Sequence, residues 1–288
     1  MKRILITGRN SYIGTKFIEW LSQYPGKYKV DNVSLRNDSW KDKDFSNYDT
    51  ILHLAGIAHV STDPKMEEEY YKVNRDLTIE VAKKSKEDGV SQFIFMSSII
   101  VYGDGSAKER VIDRNTIPKP SNFYGNSKLQ AEEGIKKLET NDFKIAIIRP
   151  PMIYGKDSKG NYPRLAKLAK LTPIFPDFDN QRSMLHIDNL CEFIRLMIDN
   201  EESGLFFPQN REYVKTSYMV KIIGQVHGKK VILVRWINWL IKMMFNIGPV
   251  NKVFGNLVYD KEMSIYEKDS YQIRDFEESI RLTELESK

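Results

Sequence analysis

Arg3-Ile4-Leu5-Ile6-Thr7-Gly8-Arg9-Asn10-Ser11-Tyr12-Ile13-Gly14 decides the fold. An apolar run too short for a helix passes directly into a glycine turn, and the turn into the helical pattern Phe17-Ile18-Glu19-Trp20-Leu21. Strand, glycine turn and helix in that order are the context that a dinucleotide-binding fingerprint requires. Gly8 permits the tight turn, position 11 is where backbone approaches a pyrophosphate, and Gly14 lets the helix pack closely. Amides at the helix start then face phosphate oxygens. Position 11 is serine here, and its hydroxyl either donates to a phosphate or holds the cofactor away.

The pattern repeats outward from this stretch. Tyr28–Leu35 and Thr50–Gly56 read as the second and third strands, with Asp44-Phe45 between them where an adenine ring would lie. Pro64 opens a helix running to Asp88, Gln92–Met96 is a strand, Phe123–Leu138 a helix and Lys144–Ile148 a strand. Alternation of this kind predicts an α/β fold, a doubly wound parallel sheet of the Rossmann type. After Pro150-Pro151 turn signals dominate, so we divide the chain into a main domain, 1–155 with 183–205 returning to it, and a smaller lobe, 156–182 with 206–288. Within the lobe, Thr216-Ser217 reads as the cap of a helix to Val226, and Lys230–Val234 as a strand. Ile237–Phe245 reads as a lobe helix, because it lacks a basic face and is far too short to span a bilayer. The charged tail after Glu277 is expected to fray.

Composition narrows the function classes. The 288 residues carry a net charge of +5, and mixed runs such as Lys65-Met66-Glu67-Glu68-Glu69 spread it along the chain. Neither nucleic acid nor a membrane is expected as a partner. Cys191 is the only cysteine, which excludes an internal disulfide and a cysteine-based zinc cluster. His53, His59 and His186 are not spaced as ligands, so no metal site is expected. Behind Met1-Lys2-Arg3 the apolar run Ile4-Leu5-Ile6 is too short for a signal sequence, and a cytoplasmic location is expected.

The chemistry points to Ser121-Asn122-Phe123-Tyr124-Gly125-Asn126-Ser127-Lys128. A tyrosine and a lysine four apart share a helix face, and an ammonium beside a phenol favours the phenolate. Tyr12 and Lys16 have the same spacing, so company must separate the pairs. Upstream of Tyr124, the run Gln92 to Gly103 ends in Ser97 and Ser98, as a buried parallel strand does when it delivers hydroxyls to a ligand crevice.

Taken together, these residues resemble the extended short-chain dehydrogenase/reductase family, in its nucleotide-sugar epimerase and dehydratase branch. Thr7-Gly8-x-x-Ser11-x-x-Gly14 is similar to its cofactor loop, His53-Leu54-Ala55-Gly56 to its post-strand segment, and Asn74 to its structural asparagine. Ser97-Ser98-x-x-Val101-Tyr102-Gly103, Tyr124-x-x-x-Lys128 and Arg149-Pro150-x-x-x-Tyr154-Gly155 are similar to its catalytic and nicotinamide segments. The resemblance implies Ser98, Tyr124 and Lys128 as catalytic residues, with Lys128 on the nicotinamide ribose and lowering the tyrosine pKa. It implies NAD or NADP held by Gly8, Arg9, Ser11, Tyr12, Ile13, Gly14, Asp44, Phe45, Leu54, Ala55, Gly56, Asn74 and Pro150. For the sugar substrate it implies Ser98 and Tyr124, with Asn161, Arg164 and Arg182 near the nucleotide and diphosphate. A homodimer is also expected from it.

Relatives that eliminate water carry Asp-Glu after the catalytic hydroxyl; Ile99-Ile100 stand here, which disfavours a 4,6-dehydratase. The leading expectation is a 4-epimerase of a UDP-hexose or UDP-N-acetylhexosamine, working through a 4-keto sugar. An NADPH-dependent 4-ketosugar reductase is the alternative, because Ser34-Leu35-Arg36-Asn37 offers Arg36, with Arg9, to a 2′-phosphate. Asp38 reverses that preference if the second strand ends two residues later. A non-catalytic cofactor-binding regulator is the third reading.

Overall fold

The computed structural model describes residues 1–8, 10–57, 63–106, 108 and 110–285. In chain order its first elements are β1 (Lys2–Thr7), α1 (Tyr12–Leu21), β2 (Tyr28–Val33) and β3 (Thr50–His53). A helical rod follows: a 3-10 turn Pro64–Met66, α2 (Glu67–Tyr70), a π-helical segment Tyr71–Asp76 and α3 (Leu77–Glu87). Then come β4 (Gln92–Met96), the 3-10 turn Ile99–Tyr102, β5 (Val111–Ile112), α4 (Phe123–Lys136), β6 (Lys144–Ile148) and β7 (Met152–Tyr154). The rest is α5 (Asn161–Leu171), β8 (Ile174–Pro176), β9 (Met184–His186), α6 (Ile187–Asp199), β10 (Gly204–Phe206) and α7 (Thr216–Val226). It continues with β11 (Ile232–Val234), α8 (Asn238–Met243), α9 (Gly248–Phe254), β12 (Val258–Tyr259) and α10 (Phe276–Leu285).

The chain forms two compact units. The first comprises Met1–Gly103, Ile117–Pro150 and Leu190–Pro208; the second comprises Asp104–Thr116, Pro151–Asn189 and Gln209–Lys288. The first unit stops at Pro150 rather than 155 and its returning segment ends at Pro208 rather than 205, and two larger differences separate it from the sequence reading. Residues 104–116 enter the second unit through the pairing of β5 with β12, and 183–189 stay there because β9 pairs with β7.

The first unit is built on a six-stranded sheet of order β10-β6-β4-β3-β1-β2, parallel throughout. β1 lies between β2 and β3, so the order reverses there and opens a crevice at the carboxyl ends of the strands. Its inner strands β1, β3, β4 and β6 are buried on both faces, whereas the edge strand β2 is polar and partly exposed. Leu5, Ile51, Phe93 and Ile145 pack with Val81 of α3 and Ile135 of α4. Fully buried His53 is threaded through this packing, its Nδ1 2.9 Å from the Thr7 hydroxyl and its Nε2 3.0 Å from that of Thr78.

The second unit has its own core, in which Tyr162, Leu165 and Ala169 of α5 meet Val220 and Ile223 of α7 and Phe276 and Ile280 of α10. The tail expected to fray is therefore a packed helix. Phe276, Ile280 and Thr283 recur at helical spacing among charged residues and are buried. Thr216 is the first residue of α7 rather than its cap, and its hydroxyl donates to Val253 O at 2.7 Å. No helix among the described residues is long and apolar enough to cross a membrane.

Candidate active site

The turn after β1 is shaped as the glycine pattern predicts. Gly8 has φ of +90°, and a Cβ there would lie 2.9 Å from the Ala55 amide nitrogen, so a side chain is excluded both by conformation and by the chain after β3. The Ser11 hydroxyl accepts the Gly14 amide at 3.2 Å and caps α1. That bond leaves the serine proton for another acceptor, and it sets Ser11 Oγ 2.7 Å from where a Gly14 Cβ would stand. Tyr12 and Ile13 form the first turn of this ten-residue helix, whose amides and dipole favour an anion. The cradle fits a dinucleotide pyrophosphate.

Leu54, Ala55 and Gly56 leave β3 beside this turn, with Leu54 N donating to Thr7 O at 3.2 Å. Asn74 holds the segment from the π-helical turn of the rod. Its Oδ1 accepts Ile57 N at 2.8 Å, and its Nδ2 donates to Ile57 O and Ser127 Oγ, both at 3.2 Å. Both amide protons are thus spent inside the protein. The expectation that Asn74 contacts cofactor is corrected: it fixes the loop and ties it to α4.

On α4 the Asn122 side chain caps the helix by accepting Gly125 N at 2.9 Å. Gly125 lets the helix start press onto the chain after β4: a Cβ there would stand 2.8 Å from Ile100 O. Tyr124 and Lys128 are both buried, at 8% and 6% exposure. The Ser98 hydroxyl caps the 3-10 turn Ile99–Tyr102 by accepting Ile100 N at 3.3 Å, and it lies near enough to the Tyr124 phenol to favour its ionised form. Lys128 Nζ donates to Met96 O at 3.0 Å and sits 4.7 Å from the Phe95 ring centre. The structure brings Ser98, Tyr124 and Lys128 together at the carboxyl end of β4.

The electrostatics differ from the sequence expectation. Burial pushes the Tyr124 phenol up to about 12, opposed by the Ser98 hydroxyl and aided by Tyr70. Burial lowers Lys128 to about 8, with Glu132 opposing. The lysine therefore does not depress the tyrosine in this arrangement, because its ammonium is directed at the Met96 carbonyl and desolvation dominates both groups.

Sequence reading missed the network beneath these residues. Arg149, 3% exposed, is paired with Glu132, 1% exposed, through Nε at 3.0 Å and Nη2 at 2.5 Å. Its Nη1 donates to the Tyr102 hydroxyl at 2.6 Å, and Ser97 Oγ donates to Glu132. Glu132 stands four residues after Lys128 on α4, and that spacing was the available signal. The end of β6 joins the same corner, where Pro150 O accepts Ile99 N at 2.9 Å.

Other expected residues lie apart. Phe45 is fully buried, its ring 6.5 Å from that of Trp40 in the core, so it offers no face to adenine. Asp44 is exposed and accepts Ser46 N at 2.8 Å. β2 ends at Val33, earlier than expected, which places exposed Arg36 three residues and Asp38 five residues beyond it. Arg9 and His59 lie outside the described residues. In the second unit Asn161 and Arg164 are exposed on the first turn of α5. Arg182 is half-buried, donates to Gly255 O at 2.9 Å, and is lowered to about 10 by burial against the opposing charge of Asp104.

Comparison with known proteins agrees with this geometry. A UDP-glucose 4-epimerase from Vibrio cholerae is 30% identical over 243 residues, 76% of this chain and 74% of that one. An N-acetyl-alpha-D-glucosaminyl-diphospho-ditrans,octacis-undecaprenol 4-epimerase from Escherichia coli O157:H7 is 29% identical over 221 residues, 70% of this chain and 64% of that one. A dTDP-4-dehydrorhamnose reductase from Clostridium acetobutylicum has the same fold, with a TM-score of 0.75 at 20% identity over 98% of each chain. A sequence profile headed Epimerase matches residues 4–207, a span that takes in the cradle, the Asn74 turn, Ser98, Tyr124 and Lys128, and so the chain belongs to the NAD dependent epimerase/dehydratase family.

Proposed function

We propose that the protein is a 4-epimerase of a diphosphate-linked hexose or N-acetylhexosamine, with a UDP-sugar as the first substrate to test. The observation that carries this reading is the buried Tyr124 phenol beside the Ser98 hydroxyl, one helical turn from buried Lys128. The turn at Gly8–Gly14 and residues 54–56 would hold the dinucleotide, with Lys128 on its ribose and Pro150 near the nicotinamide. Bound there, the nicotinamide supplies hydride acceptance and return at C4. Tyr124, whose phenolate the positive nicotinamide and Lys128 would favour once the cofactor is bound, would take the proton of the C4 hydroxyl, and Ser98 would donate to that oxygen as it becomes a carbonyl. The proton returns from Tyr124 when the opposite epimer forms. In the second unit, Arg182 and Arg164 are the candidates for the diphosphate, arginine being suited to bidentate contact. Ile99 and Ile100 offer no carboxylate for elimination. This reading includes a cytoplasmic location and a homodimer, and a monomer by light scattering counts against the latter.

The test is NMR of C4 epimers from UDP-glucose and UDP-N-acetylglucosamine, with and without NAD+, repeated with N-acetylglucosaminyl diphosphoundecaprenol. Formation of the galacto epimer without net cofactor change is expected, and Tyr124→Phe should lower turnover by on the order of 10²–10⁴. Failure of all three substrates would sink the epimerase reading. A second reading, the NADPH-dependent 4-ketosugar reductase, is favoured by Arg36 and by the lack of an acidic residue at the end of β2. Oxidation of NADPH by a 4-ketosugar, with only one alcohol formed, selects it.

A further inference from the structure

We propose that the second unit carries a membrane-docking face, built from α8 and the ends of α5 and β11, which seats on an anionic lipid bilayer surface. The proposal does not depend on the epimerase reading. No residue of α8 is buried. Ile241 and Phe245 attach this segment to the core, and the opposite side presents Trp239 at 62% and Met243 at 72% exposure, with Trp236 at 72% just before it. On the neighbouring elements Leu171 is 70% exposed, and Ile174 and Ile232, register partners in the β8–β11 pair, are exposed together. Lys229 Nζ donates to Lys170 O, which ties the start of β11 to the end of α5. A soluble monomer rarely leaves so many large apolar side chains in water on adjoining elements.

Charge names the occupant. From Gly228 to Tyr259 the sequence has no aspartate or glutamate, while Lys229, Lys230, Arg235, Lys242 and Lys252 are all exposed. Ser158 to Pro176 is likewise free of acids and contributes Lys167 and Lys170. Acids from elsewhere offset part of this: Asp177 pairs with Arg235 and Lys215, each at 2.9 Å, and Glu284 pairs with Lys170 at 2.9 Å, which leaves Lys229, Lys230, Lys167, Lys242 and Lys252 as the basic contribution. Exposed tryptophans framed by lysines match the interfacial zone of a bilayer, where indoles lie at headgroup depth and basic side chains meet anionic lipid. Ile237–Phe245 lacks a basic face of its own, which is why the sequence reading set membranes aside. The basic residues come chiefly from flanking segments that the fold brings alongside.

The test is flotation of the full chain with phosphatidylcholine vesicles, with and without phosphatidylglycerol, while tryptophan emission is recorded. Binding to the anionic vesicles only, a blue shift and weakening by salt are expected. Trp236→Ala with Trp239→Ala should lower partitioning by on the order of tenfold or more, and Lys229→Glu with Lys230→Glu should weaken it without changing circular dichroism. Turnover of a soluble UDP-sugar by these variants should match the parent, which separates failure of docking from failure of the catalytic reading. Absence of binding, or binding unaffected by the tryptophan substitutions, overturns the proposal. So does a dimer that dissociates in the tryptophan variant, since the face would then be a contact between copies of this chain.

Discussion

Burial lowers the pKa of both Lys128 and His53, with opposite consequences: the lysine is still an ammonium at neutral pH, and the histidine stays neutral into acid. Lowering the Lys128 ammonium from 10.5 to about 8 means that its desolvation costs on the order of 3 kcal/mol near neutral pH. Lys128→Met should therefore keep or raise the thermal midpoint while turnover falls by on the order of 10²–10⁴. A variant that is stable and fully active would remove Lys128 from the chemistry. Burial lowers His53 to about 3 and His186 to about 4, so the fold carries both rings neutral. The unfolded chain takes up their protons below about pH 6.5. Stability is complete above that value and falls as pH drops toward 4, by up to about 1.4 kcal/mol per pH unit for each ring. Denaturant midpoints that stay flat between pH 7 and 5 would contradict this. The grouping of Ser98, Tyr124 and Lys128 was legible because the three follow a spaced pattern. The direction of the tyrosine shift was not, since it depends on where the lysine points.

At the scale of elements, the site is held by contacts between segments distant in sequence. The buried Arg149–Glu132 pair joins β6 to α4, and breaking it leaves a buried charge unmatched. Arg149→Met should cost about 3–5 kcal/mol, whereas replacing both partners with apolar residues should recover much of that loss. Urea midpoints of the two single variants and the double variant check this, and additive losses would contradict coupling. Gln92–Met96 and Lys144–Ile148 were readable to the residue because apolar runs buried on both faces have few alternatives, whereas β3 stops at His53, three residues before the expected Gly56, and the two- and three-residue strands β5, β7, β8, β9, β10 and β12 were not legible. Phe45 and α10 were misread for a common reason. Each is an apolar position among charged neighbours, such as Asp44 beside Phe45 or Glu277 and Glu278 beside Ile280, and only tertiary packing reveals that it is buried. The π-helical turn at Asn74 left no sequence signal of its own, since one extra residue per turn changes no composition.

For the molecule as a whole, ligand binding is a stability measurement that needs no turnover. A dinucleotide that binds only the folded chain raises its stability by about 2.7 kcal/mol at one hundred times the dissociation constant. The turn at Gly8, capped by Ser11, accommodates a pyrophosphate of either nicotinamide cofactor, so discrimination rests at the adenosine ribose. There β2 stops at Val33 and is followed by Ser34, Leu35 and Arg36. Asp31, the nearest acid within the strand, is engaged by the Tyr48 hydroxyl at 2.9 Å. Asp38, two residues after Arg36, is paired with Lys41 at 3.1 Å, and a guanidinium ahead of it favours a 2′-phosphate over a ribose diol. NADPH should then raise the thermal midpoint more than NADH at equal concentration, and Arg36→Ala should erase the difference while keeping the NADH shift. Equal shifts, or a larger one with NADH, would assign the preference to NAD and leave Arg36 as solvated surface. Hydrogen exchange gives the location: either cofactor should slow the amides of 11–15 and 54–57 in the first unit, and slowing confined to the second unit would place the dinucleotide elsewhere.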